Sequence, residues 1–416
     1  MRKLSNIIRA LPPMKFGAEL LAALEILPAY DNSICAAAAP FRLTALSDLY
    51  KVYVPNQMST EIYSKLYLAL LRSVQKKGTK LAVQQQCQNY RAIMKQESSG
   101  VMGGSDSFTI IGSSGIGKSS AISRAITLIT ENQIIEVDHP YTKIIPCVCV
   151  QCPFDSSVKG LLLEVLREVD KILESNYYQN AVRSRATTDM LIGSVSQVAL
   201  NHIGLLVVDE IQNVCSSKNG KNLIGMLTQL INNSGISICM VGTPDSAVFF
   251  EQAVQLARRS LGLQYDVMGY DANFRKFCKI LFSYQYVKQR TELTDTILEW
   301  LYAHTSGNIS IVVSLIHDAQ EIAILNGKEI LDLDTLNEAY QKRLSMLHGF
   351  IHSSIPHRKQ TNTVKKKDLV SPPQTDNIDA EKECPKISEL LKTAKSKNAD
   401  IVQLLKLYIP VTEVKI

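Results

Sequence analysis

Gly112-Ser-Ser-Gly-Ile-Gly-Lys-Ser119 constrains this chain more than any other stretch. A loop with this spacing works only when a strand delivers it and a helix leaves it. Both flanks are present: Phe108-Thr-Ile-Ile111 is a short apolar run, and a helical pattern starts at Ser120. Glycines tolerate the dihedrals that turn successive backbone N–H groups onto phosphates, Lys118 adds a point charge, and the Ser119 hydroxyl is a ligand for Mg²⁺. Gly112, Ser113, Ser114, Gly115, Ile116, Gly117, Lys118, Ser119 and Ser120 are therefore the expected cradle for the phosphates of ATP.

The loop changes the meaning of a second run, Leu205-Leu-Val-Val-Asp209-Glu210. Alone, it reads as a strand end. Beside a phosphate loop, two carboxylates closing a buried strand make sense as Asp209 completing the Mg²⁺ shell with Ser119 and Glu210 polarising an attacking water. Ile236–Val241 followed by Gly242-Thr243-Pro244 is a further strand ending at the edge where open α/β sheets bind ligands. Thr243 there could hydrogen-bond the γ-phosphate or the water, or the Gly and Pro could simply stop the strand. Arg258 and Arg259 read either as a solvated face or, at a subunit boundary, as a guanidinium donated to the neighbour's site. Cys147, Cys149 and Cys152 have no second CxxC to complete a zinc site, so a buried strand is expected there.

Short apolar runs at 108–111, 143–150, 205–208 and 236–241, separated by helical stretches, predict a parallel α/β sheet buried on both faces. The expected organisation is a mostly helical N-terminal extension (1–104), an α/β core (105–268), a helical lid (269–350), a Pro- and Lys-rich linker (351–385) and an amphipathic tail (386–416). Charge does not argue for indiscriminate DNA coating. The sum is only +6, and residues 356–416 carry twelve Lys/Arg against eight Asp/Glu, so the body is nearly neutral. No apolar run has membrane-spanning length, so no membrane is expected as a partner. Charges and prolines between Arg9 and Glu25 interrupt any signal-peptide core. With nine unpaired-looking cysteines, a cytoplasmic setting is expected.

Taken together, Gly112–Ser119, Asp209-Glu-Ile-Gln-Asn213, Val241-Gly-Thr-Pro244 and Ala257-Arg-Arg259 occur in the order found in AAA+ ATPases that regulate cut-and-paste transposition. The chain resembles that group (TnsC, TniB and MuB), most nearly its TnsC type, over roughly residues 10–345. Leu49–Pro55, Cys152–Gly160 and Ser283–Tyr286 add to the likeness. The resemblance implies a bacterial, nucleoid-associated AAA+ P-loop ATPase with a parallel sheet and helical lid. It implies assembly with ATP into a hexamer- or heptamer-like ring or a helical filament on duplex DNA, independent of sequence. It further implies links to a TniQ- or TnsD-type target-selection protein and to the transposase, with disassembly on hydrolysis. By match, Thr243 resembles sensor 1, and Arg258 or Arg259 the arginine finger. The turn Ser306-Gly-Asn-Ile-Ser-Ile311 lacks the arginine of sensor 2, which implies slow turnover.

For the DNA, phosphate contacts need Lys, Arg, Ser or Thr on a channel-facing loop, and Arg183, Arg185, Thr187 and Thr188 are the candidates. The tail beyond 386 is a candidate transposase-docking segment. Two rival readings stand: an AAA+ loader or replication initiator, and a nucleotide-dependent scaffold that hardly hydrolyses ATP.

Overall fold

The computed structural model describes residues 6–77, 79–94, 100, 107–131, 134–138, 141–216, 220–246 and 262–345. All of these fall in the first of two compact units, 1–356; the second, 357–416, lies outside the described residues, as does 247–261 with Arg258 and Arg259.

The strands are β1 (Phe108–Gly112), β2 (Ile135–Asp138), β3 (Tyr141–Gln151), β4 (Ile203–Asp209), β5 (Ser237–Gly242) and β6 (Leu263–Tyr265). They lie in the order β2-β3-β4-β5-β1-β6, with only β2 antiparallel. Before the sheet come the helices α1 (Asn6–Arg9), α2 (Gly17–Leu24), α3 (Ala39–Ala45), α4 (Gln57–Lys77) and α5 (Lys80–Ile93). Woven through it are α6 (Lys118–Thr130), α7 (Val158–Leu173), α8 (Tyr177–Arg183), α9 (Thr188–His202), α10 (Asn213–Ser216) and α11 (Gly220–Ser234). After it follow α12 (Ala272–Ser283), α13 (Asp295–Thr305), α14 (Ile309–Leu325) and α15 (Leu333–Arg343).

Every residue of β1 and β5 is buried, and so is β4 up to Asp209, because helices cover both faces of the sheet. Alternation sorts the side chains. Leu205, Val207, Cys239 and Val241 pack with Ile62, Leu66 and Leu70 of α4 and Ala121 and Ala125 of α6. Leu206, Val208, Ile238 and Met240 face Leu162 and Val165 of α7, Leu191 and Val195 of α9, and Leu223 and Leu227 of α11. A third core joins α12–α15, through Phe274, Leu281, Leu301, Leu315 and Leu336, to Leu46, Leu49 and Val52. The segment before the sheet thus supplies side chains to both the α/β layers and the helical lid.

Strand β5 separates the loop-bearing β1 from the acid-ended β4, and the helical group α12–α15 follows the sheet. This is a P-loop α/β architecture, a mostly parallel sheet with the glycine-rich loop at the end of β1 and a helical group after it, as the sequence predicts. Among the described residues, no helix is long and apolar enough to cross a membrane. Among the described residues four cysteines are buried (Cys35, Cys152, Cys239 and Cys278) and Cys147 is half-buried, whereas Cys87, Cys149 and Cys215 are exposed. Strand β3 is therefore not buried at Cys149, where the sequence predicts a buried strand.

Candidate nucleotide site

The phosphate loop leaves β1 and enters α6 through two left-handed positions, Gly115 (φ 80°) and Gly117 (φ 90°). At Gly115 a Cβ would lie 2.6 Å from Asn308 Oδ1, so glycine meets both a conformational and a steric need. Lys118 opens α6 and is 9% exposed. Its Nζ donates to the carbonyls of Gly112 (2.7 Å) and Ser113 (2.8 Å). Burial pushes its pKa down, while Asp209 and Glu210 pull it back up. Gly112 and Ser113 hold Lys118 in this way, while Ser114 through Ser120 line the cleft.

At the end of β4, Asp209 sits opposite Gln151 in the β3–β4 register, and its carbonyl accepts from Cys152 N at 2.8 Å. Its carboxylate accepts from Ser119 Oγ at 3.2 Å and from Glu210 N at 2.8 Å. Glu210 is held at φ 58°, a left-handed backbone that costs a non-glycine residue about 1–3 kcal/mol. The following residue anchors that turn, since Ile211 N donates to Val241 O at 2.9 Å. Gln212 Nε2 donates to Glu210 Oε2 and so orients the carboxylate. Thr243 follows β5 on the neighbouring strand; its hydroxyl, like Gln212 Oε1, is buried without a hydrogen-bond partner. Such orphans are costly unless something else satisfies them.

The lid closes on the loop from the other side. Asn308 caps α14, its Oδ1 accepting from Ser310 N and Ile311 N, while its Nδ2 donates to Ser114 O at 2.9 Å. Ser310 N donates to Gly115 O at 3.0 Å. The turn before the cap requires glycine: Gly307 has φ 74°, and a Cβ there would lie 1.9 Å from Met268 O.

Between these parts lies a cleft of about 400 Å³. It brings together Lys118, Ser119, Asp209, Glu210 and Thr243, which the sequence singled out. It also contains residues that the motifs did not name as site residues. Tyr50, Val52, Val54 and Met58 from the N-terminal segment, with Phe277, Ile309 and Val313 from the lid, give it an apolar end. For Tyr50, Val52 and Val54 the signal available was the Leu49–Pro55 stretch, whose likeness carries no assigned role; Met58, Phe277, Ile309 and Val313 had none. The residues present fit the expected ligands: the Ser119 hydroxyl and the Asp209 carboxylate, their oxygens 3.2 Å apart, are hard oxygen ligands of the kind Mg²⁺ takes, and a volume of this size suits a nucleotide.

Arg183, Arg185, Thr187 and Thr188 cluster on the surface where α8 passes into α9, outside the cleft. Arg185 has φ 51°, Thr187 caps α9 by accepting from Met190 N, and buried Ala186 pins the loop between them. The proposed tail-docking segment, like Arg258 and Arg259, lies outside the described residues.

Residues 61–263 match the family model of the bacterial TniB protein. Among curated proteins, none matches the chain. The Aeropyrum pernix ORC1 protein, solved in complex with DNA, matches at 15% identity over 63% of this chain, with a TM-score of 0.37; the match spans 64% of the ORC1 chain. Drosophila ORC bound to DNA matches at 14% identity over 79% of this chain and 69% of its own, with a TM-score of 0.42.

Proposed function

We propose, from the match of residues 61–263 to the family model of the bacterial TniB protein, that this chain is an ATP-driven regulator of DNA transposition. It oligomerises on target duplex as a ring or filament, connects a TniQ- or TnsD-type target selector to the transposase, and leaves when ATP is hydrolysed. The observation that carries the ATPase part is the convergence of Lys118, Ser119, Asp209, Glu210 and Thr243 on one cleft closed by the lid.

In this reading the backbone N–H groups of Ser114–Ser119 receive the β- and γ-phosphates at the N-terminus of α6. Lys118 exchanges the carbonyls of Gly112 and Ser113 for phosphate oxygens. Ser119 and Asp209 would hold Mg²⁺, which neutralises charge on the phosphates. Glu210, steadied by Gln212, orients the attacking water and accepts its proton. The Thr243 hydroxyl finds its missing partner in the γ-phosphate or that water. Val52, Val54, Met58, Phe277 and Ile309 form the apolar end that fits the base. Arg258 or Arg259 from an adjoining copy completes the charge stabilisation, and Arg183, Arg185, Thr187 and Thr188 contact DNA phosphates.

One observation favours a slower variant of this reading, a scaffold that hydrolyses ATP rarely. The lid approaches the loop with Asn308 and Ser310 rather than with a cation. Single-turnover hydrolysis of wild type against Glu210→Gln separates the two, because equal rates would remove Glu210 as the base. Electron microscopy with duplex DNA and a slowly hydrolysed ATP analogue tests the assembly itself, and a protein that stays monomeric under those conditions would overturn it.

A further inference from the structure

Helix α5 is amphipathic the wrong way round. Its buried side is Ala82, Gln85 and Asn89, where Gln85 Nε2 donates to Asn89 Oδ1 (2.9 Å) and Asn89 Nδ2 donates to Asn233 O (3.0 Å). On its outer side, Val83 (62% exposed), Cys87, Tyr90 (60%) and Met94 (55%) recur at i, i+4, i+7 and i+11, one apolar stripe. The rotation of the helix is not free to turn this stripe inward. Gly193 of α9 lies so close that a Cβ there would be 3.1 Å from Ile93 N and 3.2 Å from Ala92 Cβ.

Charge narrows what can cover the stripe. Between Glu61 and Glu97 the chain has seven Lys/Arg and no carboxylate. Lys80 and Arg91, eleven residues apart along α5, are both exposed, and neither has an ion-pair or hydrogen-bond partner among the described residues. Of the helices packed beside α5, α9 offers only Asp189 and α11 no acid at all. A second copy would bring Lys80 and Arg91 against their own kind. The chain's own segment 386–416 carries six lysines against three carboxylates, so its sequence is not the acidic one that Lys80 and Arg91 call for.

We propose that the outer face of α5 is the docking site of an acidic amphipathic helix from a partner protein, its apolar side on Val83, Cys87, Tyr90 and Met94 and its carboxylates on Lys80 and Arg91. The site is independent of the nucleotide cleft.

The test uses the full chain and two fluorescent synthetic helices of equal hydrophobicity, one with glutamates and one with lysines on its polar face. The glutamate helix should bind saturably, slow maleimide labelling of Cys87 at least fivefold, and lose affinity at least tenfold in the Lys80→Glu/Arg91→Glu protein and in the Tyr90→Glu protein. These residues are exposed, so unchanged ATP hydrolysis and an unchanged melting curve check that the variants fold. Equal binding of the two helices, or binding of neither, overturns the proposal. So does a photocrosslinker on Cys87 of the free protein that joins residues 386–416 or the α5 of a second copy.

Discussion

Arg42 and Glu329, 287 positions apart, form a bidentate ion pair with both N–O distances at 2.6 Å. Arg42 also donates to the carbonyls of Ala37 (3.0 Å) and Tyr286 (2.9 Å), so a nearly fully buried guanidinium on α3 is satisfied by the lid and by its own segment. The pair locks the N-terminal segment, which supplies the apolar end of the cleft, to the helices that close over it.

Removing Glu329 leaves the Arg42 guanidinium buried without its carboxylate, whereas removing Arg42 leaves Glu329 with the backbone N–H of Lys288 and with its ammonium at 3.9 Å. Glu329→Ala should therefore lower stability by about 3–5 kcal/mol, read as a reduced urea midpoint, and Arg42→Ala by less. The pH dependence has a definite sign. Hydrogen bonding and charge from Arg42 hold the Glu329 carboxyl below its ordinary value. Its stabilisation is complete above the unfolded carboxylate pKa of about 4.3 and is lost as pH falls through the lower folded value. In Glu329→Gln that part of the acid-unfolding curve should flatten.

Glu210→Gln keeps the shape of the side chain and removes the carboxylate that the proposed mechanism uses as base. Single-turnover hydrolysis should fall about 10²–10⁴-fold with nucleotide binding retained, and ATP-dependent oligomers on DNA should persist. Lys118→Ala should instead abolish nucleotide binding, measured with a fluorescent ATP analogue, and with it the oligomers.

Thr243→Val replaces a buried hydroxyl that has no partner with a methyl of similar volume. Stability should stay level or rise slightly, because an orphaned polar atom disappears. If the hydroxyl serves the γ-phosphate or the water, hydrolysis should nonetheless drop tenfold or more at unchanged nucleotide affinity. A variant as fast as wild type would leave Thr243 a strand stop.

Asn308→Ala removes the α14 cap and the bond to Ser114 O together. Cap loss alone costs about 0.5–2 kcal/mol. Because the same side chain steadies the phosphate loop, nucleotide affinity should weaken alongside the melting temperature. A stability loss without an affinity loss would confine Asn308 to the helix.

Much of the sheet was legible because buried parallel strands carry unbroken apolar runs. Phe108–Ile111, Leu205–Val208 and Ile236–Val241 lie within or alongside β1, β4 and β5. The periodicity of Ile62, Leu66, Ala69 and Leu70 likewise marks the core face of α4. The short β2 and β6 left no such trace. The buried face of α5 is not written in its apolar periodicity either, since Val83, Tyr90 and Met94 face outward.

The phosphate loop and the acidic end of β4 are each written in a few consecutive residues, because contiguous backbone amides cradle a phosphate and one strand end presents a carboxylate. Sequence alone therefore carries the proposal of a phosphate-bearing ligand. Everything that depends on chain segments meeting across long separations was decided by the tertiary structure. Residues 50–58 reach the cleft only because Leu46, Leu49 and Val52 are buried with the lid helices. Asn308 meets Ser114 across 194 positions and Arg42 meets Glu329 across 287. Such contacts follow from which apolar faces find one another in the packed core, and no local spacing encodes that.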